Sequence, residues 1–334
     1  MEYTKLGRSN LEVSKVCLGT MHFGSRTPED EAFAIMDRAL EMGINFFDTA
    51  NVYGGRPNTG RTESIIGRWF AQGGGRRDRV VLASKVYGAM KPEPGPNERS
   101  GISAYKVRKH CRDSLERLQT DHIDLYQVHH IDLTITVEEF WRTFERLQND
   151  GDILYVGTSN FPAWGLAKFQ MAAWQRGDVG LISEQTQYNM LNRIPELEVL
   201  PAAQEFGIGV IPYMPLGGGL LAGKTEIKEG TRSGDVWEEY AMTEERIPQF
   251  EAYSEVCADL GEPEHVVAIA WTLAHPAVDS AIVGVRTLRH LEGLDSAASL
   301  ELDEETMGRL NDIFDINRGR PLQNNAPAPQ AYAW

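Results

Sequence analysis

The stretch "INFFDTANVYGG", residues 44–55, runs as a buried strand into an acid, Asp48, and reaches a phenol, Tyr53, five residues later. A strand end that delivers a carboxylate and a phenol to one place is expected where parallel strands open their C-terminal ends on a common face.

Outward from this stretch, from residue 16 onward, short β-rich runs alternate with longer segments of helical period. That alternation predicts a parallel sheet built from βα units. Eight units are legible, with strands at 15–19, 44–48, 80–85, 123–129, 153–159, 181–187, 209–213 and 280–284. Helices fit at 29–42, 61–71, 103–118, 137–149, 162–174, 196–206, 245–260 with 264–274, and 287–298, and a last one near 303–315 begins at "DEET". Thr27 is expected to cap the first helix with Pro28 at its first position, and Gly43 to end it. Residues 2–13, "EYTKLGRSNLEV", read as a hairpin turning at "GRSN" that plugs the N-terminal end of the barrel.

Two segments interrupt the pattern. Residues 214–245 make a long excursion from the C-terminal end of strand seven, where barrel active-site loops emerge, and 316–334 form an irregular tail rich in Pro, Ala and Asn. Length alone would suggest two domains for 334 residues, but such barrels run to about 250 residues or more as one unit, and nothing reads as a linker. The expectation is a single domain over 1–334.

Composition narrows the partners. Hydrophobic residues at 42% supply a sizeable core, while a net charge of −15 argues against nucleic acid or an anionic membrane, both of which reward basic patches. Cys17, Cys111 and Cys257 are isolated, with neither a disulfide framework nor zinc-ligand spacing, which suits a reducing cytoplasm. The first residues lack an apolar leader core, and no run of about 18 apolar residues occurs. A cytoplasmic location with a small-molecule partner is expected; the oligomeric state is not legible.

Asp48 ends strand two, Lys85 strand three and His129 strand four, so all three open on one face of strands about 4.8 Å apart, with Tyr53 able to bend back over the rim. Singly, each has an ordinary explanation as a turn, a cap or a packed side chain. Together they make chemical sense. A phenol with an ordinary pKa near 10 is a poor acid at neutral pH, a neighbouring ammonium favours the phenolate, and a buried ammonium needs a counter-charge. His130 is turned the other way by strand alternation and stands outside this group.

At this point the chain resembles the aldo-keto reductases. The resemblance runs from "LGTMHFG" through "DTANVYG", "LASKV", "HIDLYQVHH", "YVGTSNF", "EQTQYNMLNR" and "GVIPYMPLGGGLLAGK" to "AIVGVRTLRHLE". It implies a (β/α)8 TIM barrel, a nicotinamide cofactor, and a tetrad of Asp48, Tyr53, Lys85 and His129 in which Tyr53 is the general acid. It also implies cofactor contacts at Gly19, Thr20, Met21 and Asp48, with Ser159, Asn160 and Gln185 on the carboxamide. Tyr213 would stack on the nicotinamide. In "PLGGGLLAGK", Pro215, Leu216 and Gly218 give a backbone suited to a pyrophosphate, with Lys224 for charge. Gly284, Arg286, Thr287 and His290 match positions that grip the adenosine end. Arg286 with Arg289 suits a 2′-phosphate, which favours NADP(H). Met214, Gly293 and Leu294 depart from the common pattern.

Met21, Phe23, Tyr87 and His130 or Trp164 are candidate walls for the substrate. The helix and loop segments "GRWFAQGGGRR" and "PELEVLPAAQEFGIGV" resemble a bacterial branch that includes ketosugar reductases. The leading expectation is therefore NADPH-dependent reduction of an aldehyde or ketone. A second reading is a nicotinamide-binding partner module, since the chain also resembles potassium-channel β subunits. A barrel glycosidase ranks third: it needs two carboxylates, for which Asp48 and Glu184 are the best pair, and it leaves Lys85 unexplained.

Overall fold

A computed structural model describes residues 1–55, 57–223 and 246–315. An antiparallel pair, β1 (Tyr3–Lys5) and β2 (Glu12–Ser14), precedes eight parallel strands. These are β3 (Val16–Gly19), β4 (Phe46–Asp48), β5 (Val81–Val86), β6 (Ile123–Val128), β7 (Ile153–Ser159), β8 (Leu181–Gln185), β9 (Gly209–Val210) and β10 (Ala281–Gly284). Each pairs with the next in chain order, and β10 returns to β3. The ring closes between β9 and β10, where Asp279 N donates to Val210 O at 2.9 Å and Ile282 N to Pro212 O at 2.8 Å. The result is a (β/α)8 barrel.

The main helices are α1 (Glu29–Glu41), α2 (Arg61–Phe70), α3 (Ala104–Leu118), α4 (Val137–Asp150), α5 (Ala163–Gln175), α6 (Val199–Phe206), α7 (Ile247–Leu260), α8 (Glu264–Leu273), α9 (Leu294–Ser299) and α10 (Glu304–Ile313). Local chemistry sets their ends. Thr136 Oγ1 accepts from Glu139 N at the start of α4, acids fill its first turn, and Gly151 at φ 81° stops it. The apolar stripe Phe140, Phe144 and Leu147 then faces the barrel, each side chain worth about 1.5–3 kcal/mol on burial.

Some local expectations change. Thr27 does not cap α1: its hydroxyl donates to Arg286 O at 3.0 Å, tying the loop after β3 to the one after β10, and Pro28 is the N-cap. Strand seven, expected over 209–213, keeps a ladder only over Gly209–Val210, because Pro212 has no N–H to offer; Tyr213 N still donates to Thr186 O at 3.0 Å. The helix expected at 287–298 is a 3-10 turn at Leu288–Leu291 followed by α9. Residues 224–245 of the long excursion, with Lys224, and the tail at 316–334 lie outside the described residues.

Along the barrel interior the inward residues change character in one step. Cys17, Phe46, Ala83, Leu125, Ile211 and Ile282 form an apolar inner core, which Leu6 and Val13 of the hairpin plug from below. Two residues further along each of four strands stand Gly19, Asp48, Lys85 and Gln127. The period of two therefore stacks a polar layer directly on an apolar one, at the C-terminal mouth.

Candidate active site

Lys85 is the centre of the polar layer. Its side chain is fully buried, and Nζ donates to Asp48 Oδ2 at 2.5 Å, to Thr49 O at 2.9 Å and to the Tyr53 hydroxyl at 3.3 Å. Burial opposes the ammonium, but the Asp48 carboxylate and Tyr53 together outweigh it and hold Lys85 above the usual lysine range. The loop after β4 brings the phenol back over the rim: Tyr53 N donates to Ala50 O at 3.1 Å and Asn51 N to Lys85 O at 3.2 Å. Gly54 makes the bend possible. At φ 115° a Cβ there would meet Asn58 O at 2.4 Å.

His129 stands just past the end of β6, with its ring edge toward Tyr53 at 5.9 Å between centroids. Burial first, then Lys85 and His130, push its pKa well below the usual histidine value, so the imidazole is neutral. His130 does not point away as alternation implied. The strand has already ended at Val128, and the two imidazoles stack 5.0 Å apart at 4°. His130 is pushed down to about 4 by burial and Lys85.

Asn160 ties three strand ends together from a left-handed conformation, φ 58°, which a short amide tolerates. Its Nδ2 donates to His129 O at 3.2 Å and to Ser159 Oγ at 3.0 Å, and its Oδ1 accepts from the Tyr213 hydroxyl at 3.0 Å. Gln185 Nε2 donates to Asp48 Oδ1 at 2.9 Å. These groups border a cleft of about 1000 Å³. Gly19, Thr20, Met21, Asp48, Tyr53, His129, His130, Ser159, Asn160, Gln185 and Tyr213 line its barrel end. Pro215, Leu216 and Gly218 line its middle, and Gly284, Arg286, Arg289 and His290 its far end.

Phe23, Tyr87, Thr287 and Trp164 lie off the cleft. Phe23 is fully buried in the outer core: the turn in which Phe23 N donates to Thr20 O sends its ring inward and leaves Met21 and His22 on the cleft. Tyr87 does not line the cleft; it backs His130 edge-on, 5.1 Å between centroids. Thr287 is exposed at the start of the 3-10 turn and off the cleft wall, and Lys224 is outside the described residues. Trp164 is 48% exposed on α5 and likewise off the cleft. Glu184, the second carboxylate of the glycosidase reading, does not line the cleft either, so Asp48 has no acid opposite it across a sugar. It is buried on the other face of β8, accepting from Thr158 Oγ1 at 2.5 Å and Phe161 N at 3.0 Å.

Gln127 was missed. It sits on the inward face of β6 two residues before His129, and period-two counting back from His129 would have found it. His22 and Arg26 on the cleft wall were missed as well, because the nine-residue loop between β3 and α1 has no periodicity to read.

The site's donor set fits a dinucleotide. Hydroxyl and amide groups stand at one end, guanidinium groups at the other, and between them Gly218 (φ 76°) and Gly219 (φ 109°) hold a backbone that a Cβ would not permit. Residues 15–315 match the family model described as the aldo/keto reductase family. YrpG, an uncharacterized oxidoreductase of Bacillus subtilis, is 49% identical over the full length of both chains. The norsolorinic acid reductase stcV of Emericella nidulans is 31% identical over 96% of this chain and 84% of its own. A probable voltage-gated potassium channel subunit beta of Oryza sativa is 32% identical over 85% of this chain and 87% of its own.

Proposed function

The chain belongs to the aldo/keto reductase family, and from that membership we propose that it catalyses the reversible NADPH-dependent reduction of an aldehyde or ketone to an alcohol. The observation that carries the reading is the Lys85 ammonium, fully buried, hydrogen-bonded at once to Asp48 and to the Tyr53 hydroxyl on the cleft floor.

A nicotinamide, when bound, supplies hydride to the carbonyl carbon. Tyr53 gives its proton to the carbonyl oxygen, and the ammonium at 3.3 Å favours the phenolate left behind. Asp48 supplies the counter-charge that lets Lys85 stay protonated in a dry site. His129, being neutral, orients the same oxygen through a hydrogen bond. Ser159, Asn160 and Gln185 would hold the carboxamide, and the Tyr213 ring would pack on the nicotinamide. Arg286 and Arg289 at the far end of the cleft favour a 2′-phosphate, hence NADPH over NADH.

The kinship with a potassium channel subunit supports a second reading, a nicotinamide-binding module with little turnover. Steady-state NADPH oxidation against a panel of aldehydes, aromatic ketones and ketosugars separates the two. Turnover of at least one carbonyl is expected; tight NADPH binding with none reduced favours the module.

A further inference from the structure

Between Asp48 and Gln185 the polar layer holds a third buried side chain that the tetrad does not use. Gln127 is fully buried on β6, in register with Lys85 on one side and Gly157 on the other. Its Nε2 donates to Asp48 Oδ1 at 3.1 Å, and its Oε1 accepts from Gln185 Nε2 at 3.2 Å. Gln185 Nε2 also reaches Asp48 Oδ1, at 2.9 Å. The three side chains close a triangle in which one Asp48 oxygen takes two amide donors and the other takes the Lys85 ammonium. Turning the Gln127 amide over would set its carbonyl against the carboxylate, so the network admits one orientation.

The barrel keeps space for this residue. A Cβ on Gly157 would come within 3.1 Å of Gln127 Cγ and 2.3 Å of Ser183 Oγ, so a larger residue there would press on the Gln127 stem and displace the Ser183 hydroxyl. A buried amide is costly unless its donors and acceptor are matched, and an aliphatic side chain would fill the same volume without that cost. The amide is therefore explained by what it bonds.

We infer that Gln127 is a positioning residue for the reaction: its carboxamide clamps the Asp48 carboxylate so that one oxygen faces Lys85, and it locks Gln185 to the same carboxylate. The inference rests on the proposed carbonyl reduction for its meaning, but the network can be probed without turnover. The titratable groups around this network are Lys85 from β5 and Cys17 from β3, which interact with Asp48 directly, Tyr53 from the loop after β4, which Lys85 bonds, and His129 from the end of β6, which packs on Tyr53. Each N–H donor to Asp48 disperses its negative charge. Losing one leaves more of that charge on Lys85 and Tyr53 and favours their protonated forms.

The test compares wild type, Gln127→Leu and the isosteric Gln127→Glu, each also carrying Tyr53→Phe in a matched control. Tyrosines isotope-labelled at Cζ are titrated by NMR, and the resonance lost in the control identifies Tyr53. Relative to wild type, Tyr53 is expected to titrate about half a unit higher in Gln127→Leu and about one unit or more higher in Gln127→Glu, where a second carboxylate faces Asp48. In the enzyme assay the high-pH limb of reduction moves the same way, and kcat falls about tenfold or more while KM for the carbonyl changes little. An unmoved Tyr53 titration in both variants, with wild-type circular dichroism, overturns the inference. Absence of any wild-type turnover defeats the proposed function alone, because the titration remains readable.

Discussion

Tyr53 and Lys85 are joined by a 3.3 Å hydrogen bond in which the buried ammonium donates to the phenol oxygen, with Lys85 Nζ also 5.0 Å from the centre of the Tyr53 ring. The phenol is held against the charge that eases loss of its proton. Removing only the hydroxyl, in Tyr53→Phe, is expected to lower turnover by about 100- to 10,000-fold while NADPH affinity stays near wild type. Stopped-flow turnover with fluorescence titration of NADPH measures both; unchanged turnover removes Tyr53 from the mechanism.

The two stacked histidines carry no charge at neutral pH, since His129 lies well below the usual histidine range and His130 near about 4. The rate of reduction is accordingly expected to show no ionisation near the ordinary histidine value of about 6.5. A limb there that disappears in His129→Asn contradicts the neutral assignment.

Lys85 also makes stability depend on pH. Its folded pKa is raised above an unfolded value near about 10.4, so its stabilising contribution is complete below that value and is lost as pH rises through the folded one. Urea midpoints of the wild type should fall above about pH 10.4, and by less in Lys85→Met, whose lower plateau reflects a broken buried pair costing about 3–5 kcal/mol. Equal losses in the two proteins would place the alkaline transition elsewhere.

Glu184 behaves in the opposite sense for a carboxyl group. Burial, against the pull of its Thr158 and Phe161 hydrogen bonds, pushes it up to about 8. The unfolded chain ionises near about 4.3, so stability declines as pH rises from there to about 8 and levels off beyond. Glu184→Gln escapes that decline, and its melting temperature relative to wild type should improve steadily from pH 5 to pH 8. A difference that is constant with pH is incompatible with this account.

The proposed preference for NADPH rests on Arg286 and Arg289 at the far end of the cleft. Replacing Arg286 by Ala is expected to weaken NADPH by about tenfold to a hundredfold, the value of a charge-assisted hydrogen bond, and to leave NADH nearly unchanged. Dissociation constants for both cofactors decide it, and equal weakening of the two places Arg286 away from the 2′-phosphate.

The barrel was legible because its signal is local. Strand, turn and capped helix repeat in each unit, and Asp48, Lys85 and His129 fall at strand ends that the alternation itself locates. What escaped depends on contacts made across the ring. Gln127 acquires meaning only when closure brings Asp48 and Gln185, 137 positions apart, to one point. Phe23 read as a wall because it follows β3 by four residues, yet a single turn hydrogen bond to Thr20 O sends it into the core. His130 was turned the wrong way because alternation was carried two residues past the end of the ladder at Val128. Thr27 followed its capping propensity on paper, and a carbonyl on Arg286 claimed its hydroxyl instead.

The plug at the base of the barrel makes one end of the ring wait on the other. The hairpin precedes all eight barrel strands in the chain, but Gly7 N is anchored by Asp279 Oδ2 at 2.7 Å, 272 positions later, and Arg8 N by Gly207 O at 2.9 Å. Leu6 and Val13 therefore have no complete seat until the last strand has emerged. A contact of such high sequence separation forms late. Until then the inner core stays open at its lower end, and any truncated product ending before β10 would expose it to the cell's quality control.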